Sequence, residues 1–309
     1  MIKNFQELLS YAGTLRAKRV AVIFPANEGT FLAVKQAREA GLASFLLVGD
    51  ERRISEGLKK VEAGGDGISP EYVHSVEDAL LQSIAAARDR RADILMKGSV
   101  DTSTMMKAVL DQEAGLRTGR ILSDIFIFEY PDRTPNKFIM ITDGGVTIAP
   151  DLKDKVELIN NAVEVAHALG NESPKVALLS ATEFVHPKLS STLDAAELTK
   201  MNERGEIRGC VVGGPFALDG AISPEAADEK RMSSPVAGRA EILVAPNIET
   251  ANALAKSTTY FAGFPLGHVI VGGRVPILIA SRVDKAEARL HSIALGVIMS
   301  EYMKLKETE

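Results

Sequence analysis

Arg19-Val20-Ala21-Val22-Ile23-Phe24, then Pro25-Ala26-Asn27-Glu28-Gly29, then Phe31 to Ala40 stopped by Gly41, then Ser44-Phe45-Leu46-Leu47-Val48: this stretch decides the fold. Both short runs are apolar without alternation, the pattern of strands buried on both faces, and the segment between them is long enough for a helix. A helix joining two such strands is a crossover, and the strands it joins run parallel. The pattern continues outward. A polar helix over 50–62 leads through Gly64-Gly65-Asp66-Gly67 to a strand at Tyr72-Val73-His74, a helix over 75–89 follows, and Ile94-Leu95-Met96 is the next strand.

Beyond it, Gly119 to Phe128 enters a strand, and Pro131-Asp132-Arg133-Thr134-Pro135-Asn136 turns into Phe138-Ile139-Met140-Ile141-Thr142. A connection this short predicts an antiparallel pair. Asp143-Gly144-Gly145 makes a glycine corner, and Pro150-Asp151 opens a helix running to Gly170. The alternation then resumes with a strand over 176–180, a helix over 191–204, strands at Cys210-Val211-Val212 and Ile242-Leu243-Val244-Ala245, and a helix over 248–257. The Gly- and Pro-rich stretches 213–220 and 233–239 read as loops after strands, where a long ligand has room to lie.

Bulk properties narrow the function. The chain has 309 residues, 46% of them hydrophobic, enough for two cores. Its 36 basic and 41 acidic residues are interspersed and leave a net charge of −5, which argues against a nucleic-acid or membrane surface. The single cysteine, Cys210, sits in an apolar run and reads as an inert core thiol, so disulfide scaffolds and thiolate metal clusters are excluded. The N-terminus lacks the apolar stretch of a signal peptide, and a cytoplasmic location is expected.

Two places carry candidate chemistry. Pro276-Ile277-Leu278-Ile279-Ala280 reads as a strand and Ser281-Arg282 as a corner; Asp284 and Glu287 are spaced as a capping box for a helix with Leu290, Ile293, Ala294 and Val297 on one face. A hydroxyl and a guanidinium beside the free N–H groups of a helix start suit a phosphate or another oxyanion. The plainer reading is a surface arginine on a capped corner. The second place is Lys97-Gly98-Ser99-Val100-Asp101-Thr102-Ser103-Thr104, a strand end, a glycine turn and a hydroxyl-rich helix start.

Several signatures are missing: G-x-G-x-x-G after the first strand, G-x-x-x-x-G-K-[ST], H-E-x-x-H and G-x-S-x-G. The five histidines lack ligand spacing and none is assigned to chemistry. Asp143 has no acidic or histidine partner at ligand spacing, so no metal is expected.

Seven stretches stand in order along residues 90 to 300: Met96-Lys97-Gly98 with Asp101-Thr102, Ser123-Asp124-Ile125-Phe126, Thr142 to Thr147, Gly214 to Ile222, Ser234 to Ala240, Pro246 to Asn252, and Ser281-Arg282. On these stretches the chain resembles the phosphate acyltransferases, which include phosphate acetyltransferase and phosphate butyryltransferase. The resemblance implies two α/β domains with mostly parallel sheets and a cleft between them, an isocitrate/isopropylmalate dehydrogenase-like architecture. The first domain is expected over 1–142 plus 268–309 and the second over 143–267. It implies reversible transfer of an acyl group between coenzyme A and inorganic phosphate, no cofactor or metal, and a homodimer or higher homo-oligomer.

It further implies that Arg282 grips phosphate, that Ser281 donates a hydrogen bond to the carbonyl oxygen or leaving sulfur, and that a carboxylate takes the thiol proton of coenzyme A. The family's aspartate falls on Ala288 here, so Glu287, Asp284 or a water substitutes. Arg120 and Lys97, with Ser123 and Thr102, are the candidate coenzyme A contacts. The chain's departure after Ser281-Arg282 points to the butyryl-like branch, with phosphate acetyltransferase or a non-catalytic coenzyme A-binding, oligomerising module as alternatives. A decarboxylating hydroxy-acid dehydrogenase of related architecture needs clustered metal-binding aspartates and a nucleotide loop, which this sequence lacks.

Overall fold

The computed structural model describes residues 1–130, 137–279 and 284–308. In chain order the first elements are α1 (Phe5–Ala12), β1 (Lys18–Ile23), α2 (Glu28–Glu39), β2 (Ala43–Gly49), α3 (Glu51–Lys60), β3 (Ile68–Tyr72), α4 (Val76–Arg88), β4 (Ile94–Lys97) and α5 (Thr102–Val109). The chain then builds β5 (Ser123–Tyr130), β6 (Lys137–Thr142), α6 (Leu152–Ala168), β7 (Lys175–Leu179), α7 (Ser190–Glu203), β8 (Val211–Phe216), α8 (Leu218–Ile222), α9 (Pro224–Glu229), β9 (Ile242–Val244) and α10 (Ile248–Tyr260). It closes with β10 (Leu266–Val271), β11 (Ile277–Leu278) and α11 (Ala286–Thr308).

These elements form two compact units. One comprises Phe5–Arg120 and Gly267–Glu309, and the other Met1–Asn4 and Ile121–Leu266. The division expected at 142/143 therefore lies at 120/121. The reason is strand pairing: β6 runs parallel to β9, with Met140 opposite Ile242 and Thr142 opposite Val244, and β5 follows as its antiparallel partner.

In the first unit the strand order is β3-β2-β1-β4-β11-β10, parallel except for β10. Val20, Val22, Leu46, Leu47, Ile94 and Leu95 are completely buried, as strands covered on both faces require. Pro276 precedes an interior strand, where its missing N–H costs nothing while its carbonyl accepts from Leu95 at 3.1 Å. Every residue of α11 from His291 to Ser300 is buried, wider than the single apolar stripe read from the sequence. The added cover is α1, where Phe5 stacks on His291 with ring centres 3.9 Å apart. Strand β3 ends at Tyr72, earlier than expected, because Ser75 is taken as the N-cap of α4 and accepts from the Asp78 N–H at 3.0 Å.

The second unit orders its strands β5-β6-β9-β7-β8. Its core gathers Phe128, Ile139, Ile141, Leu179, Phe216, Val236 and Leu243. Asp151 and Asp154 make the capping box that opens α6. The segment between β8 and β9 holds two short helices, α8 and α9, of which α8 begins inside the stretch 213–220 read as loop; Ser223 caps α9, and Pro224 stands at its first position.

Candidate functional site

Strands β1, β4 and β11 are parallel neighbours, so their C-terminal ends share one edge of the first unit's sheet. Helices α2 and α5 start from that edge, and the connection to α11 leaves it. Asn27 caps α2 through Thr30 N–H at 2.8 Å, and Asp101 occupies the N-cap position of α5. Helix N-termini converging on the carboxyl end of a parallel sheet favour an anionic ligand.

Lys97 ends β4. It is 4% exposed, and its Nζ donates to the Val100 carbonyl at 3.2 Å. A buried ammonium at this edge is costly unless an anion or carbonyls serve it. Its placement depends on Gly98, whose N–H donates to the Ile23 carbonyl at 2.9 Å. A Cβ at Gly98 would lie 2.2 Å from the Ile23 oxygen and 2.8 Å from the Phe24 oxygen, and both oxygens belong to backbone at the end of β1. Gly98→Ala is expected to destabilise the protein by about 1–3 kcal/mol through this overlap, with the loss read by denaturant titration.

The sequence-derived site residues fall in different places. Thr102 is half-buried as the first residue of α5, and Arg120 is half-buried at the end of the first unit's opening segment, its N–H 3.3 Å from the Thr118 hydroxyl. Asp284 is half-buried two residues ahead of α11, its carboxylate 4.0 Å from His268 Nε2. Glu287 is exposed in the first turn of α11. The helix opens at Ala286, later than a capping box begun at Asp284 predicts. Ser281 and Arg282 lie outside the described residues.

Ser123 belongs to the second unit and is fully buried, with its hydroxyl accepting from Asn161 Nδ2 at 2.6 Å. Asn161 also donates to the Ile121 carbonyl at 3.0 Å, so the pair fastens α6 to the entry of β5. Here Ser123 is fully buried and its hydroxyl is engaged by Asn161.

Sequence reasoning gave too little weight to Asp143. Its Oδ1 accepts from the N–H groups of Asp124, Gly145 and Val146 at 3.1, 3.0 and 3.1 Å, and its Oδ2 from Thr147 at 2.8 Å. Burial, together with the neighbouring Asp124 charge, pushes the Asp143 carboxyl up to about 6 against the hydrogen bonds from Gly145, Thr147 and Asp124. The adjoining Gly144 carbonyl accepts from Asn252 at 2.8 Å. The carboxylate thus organises the corner internally. No group of three or more metal-ligating side chains occurs among the described residues. Cys210 is half-buried, and burial raises its thiol to about 11, in keeping with an unreactive sulfur.

An α/β chain with helix starts and a buried lysine at the carboxyl edge of a parallel sheet has the architecture in which α/β proteins place their ligands. The chain is a member of the phosphate acetyl/butaryl transferase family, whose pattern matches residues 61–297. The phosphate butyryltransferase of Clostridium beijerinckii is 42% identical over 300 residues, covering 97% of this chain and 99% of that protein. The phosphate acetyltransferase of Thermotoga maritima is 38% identical over 297 residues, covering 96% and 100%. Among solved structures, a branched-chain phosphotransacylase from Enterococcus faecalis V583 superimposes with a TM-score of 0.80 at 30% identity, covering 92% of this chain and 99% of that one.

Proposed function

We propose that this protein is a phosphate acyltransferase that moves a short acyl group, butyryl foremost, between coenzyme A and inorganic phosphate. The observation that carries this reading is the near end-to-end match to a phosphate butyryltransferase at 42% identity. In the forward direction a phosphate oxygen attacks the thioester carbonyl, the carbon–sulfur bond breaks, and the thiolate leaves to be protonated. In reverse the thiol gives up its proton, sulfur attacks the acyl phosphate and phosphate departs.

The chain's residues divide this work. Arg282 holds phosphate through its guanidinium fork, and Ser281 donates a hydrogen bond to the carbonyl oxygen or the sulfur. Asp284 is the base for the thiol proton; its partly buried carboxylate is better suited to that task than the exposed Glu287. Lys97, Arg120 and Thr102 serve the phosphates of coenzyme A. The same reading makes the protein a cytoplasmic homodimer that needs no metal or other cofactor. No helix among the described residues is long and apolar enough to cross a membrane.

The test is phosphate-dependent release of free thiol from acetyl-, propionyl-, butyryl- and valeryl-coenzyme A with a chelator present. Release is expected to require phosphate, survive the chelator and peak at butyryl, with roughly 10-fold or more between neighbouring chain lengths. A peak at acetyl would replace the butyryl assignment. Absence of release with every chain length would leave a coenzyme A-binding module and end the enzymatic reading.

A further inference from the structure

The half-buried carboxylate of Asp284 lies beside an imidazole that sequence reasoning left without a role. His268 is on β10, which runs antiparallel to β11 with Ile270 opposite Ile277. That register sets His268 level with Ile279, two residues before Ser281. Its ring Nε2 lies 4.0 Å from Asp284 Oδ2, with the two side chains 7% and 17% exposed. The strand is fastened at this point: the His268 N–H donates to Ser292 Oγ at 3.0 Å, and that hydroxyl donates to the Ala288 carbonyl at 2.9 Å. The backbone carrying the imidazole is thereby tied to the first two turns of α11, the helix that Asp284 precedes by two residues.

We propose that His268 is a positioning residue that orients the Asp284 carboxylate for its exchange of a proton with the coenzyme A thiol. The inference rests on the reading of Asp284 as the base. A separation of 4.0 Å suits an ion pair or a single bridging water, and either fixes the direction of the carboxylate. The charged groups around Asp284 are consistent with that task. Arg289 on α11 is buried, and burial lowers its pKa while the Asp284 charge opposes that shift. From α2 the approach is by backbone: a Cβ at Gly29 would lie 3.9 Å from the Asp284 carbonyl and 3.5 Å from Arg289 Nε. The neighbouring Glu28 is paired with Lys60 at 2.6 Å and is exposed. His291 belongs to the stack with Phe5. The His268 ring faces the carboxylate within ion-pair distance, and so fixes its direction.

Two measurements test this on the whole protein. The first is the pH dependence of kcat/KM in the direction from butyryl phosphate and coenzyme A, for the native enzyme, His268→Gln and Asp284→Asn. Asp284→Asn is expected to remove the acidic limb, and His268→Gln to move it upward by about one pH unit with KM for butyryl phosphate unchanged. The second is the NMR titration of the His268 imidazole. Because coupling is reciprocal, Asp284→Asn should lower its midpoint by the same amount, and this measurement does not require the His268 variant to fold. An acidic limb that persists in Asp284→Asn would overturn the base assignment and this proposal with it. A limb lost in Asp284→Asn, unmoved in His268→Gln, together with an unchanged imidazole titration, would overturn the His268 proposal alone.

Discussion

Arg282→Ala is expected to lower kcat/KM for phosphate by roughly 10²- to 10⁴-fold, with the apparent KM for phosphate rising at least about tenfold and the KM for acyl-coenzyme A little changed. Phosphate is a charged nucleophile that must be held close to a neutral thioester carbonyl. Fixing it there supplies the orientation that a bimolecular encounter lacks, and in the proposed assignment this is the task of the Arg282 guanidinium, whose fork suits two parallel hydrogen bonds. Losing one such contact, made stronger as charge builds at the reacting centre, costs about 3–5 kcal/mol, which is the stated range in rate. Arg282→Lys retains the charge without the fork and should recover only part of the loss. Initial rates at varied phosphate and at varied butyryl-coenzyme A read all three numbers. An Arg282→Ala enzyme with native phosphate dependence would remove this residue from the phosphate site.

Much of the first unit was legible because its evidence is local. Apolar runs such as Val20 to Ile23 and Ser44 to Val48, separated by a helix of crossover length, leave a parallel sheet as the reading. The antiparallel pair β5 and β6 was read for the same reason, from a short turn. What that pair joins was not legible: the partner of β6 is β9, about a hundred residues further on, and nothing near Met140 announces it. Helix α1 escaped attention because its eight residues carry only three buried side chains, and its role as cover for α11 is a tertiary fact. Helices α8 and α9 are too short for periodicity to reveal inside a Gly- and Pro-rich stretch.

The candidate site divides along the same line. Lys97 and Thr102 were singled out because a strand end, a glycine and a helix start lie consecutively in the chain. Ser123 was assigned by its motif to a ligand, whereas the structure buries its hydroxyl against Asn161. His268 and Asp284 meet across sixteen residues through a strand pairing that no spacing rule encodes. Asp143 was weighed only as a metal ligand because its true partners are backbone N–H groups, which every sequence contains and none displays.

Those partners make Asp143 the residue whose loss should cost the second unit most. Asp143→Ala leaves the N–H groups of Asp124, Gly145, Val146 and Thr147 without their acceptor in a largely buried corner. Each orphaned buried donor costs about 1–3 kcal/mol, and with water entering the space left behind the total is expected near 3–5 kcal/mol. Asp143→Asn separates shape from charge. Its amide oxygen can keep the three donors now on Oδ1, while its NH₂ faces Thr147, donor against donor. The pH dependence carries a definite sign. The Asp143 carboxyl titrates near 6 in the folded chain against an ordinary value of 3.8, so between those limits the folded state holds the extra proton. Its contribution is fully present below about pH 4 and is lost as pH rises towards and through 6, a fall of roughly 3 kcal/mol. The stability difference between the native protein and Asp143→Asn should therefore shrink by about that amount from pH 4 to pH 7, as read from denaturant midpoints at the two values. A difference that instead grows with pH would mean that the four N–H donors outweigh burial and hold the carboxylate ionised throughout.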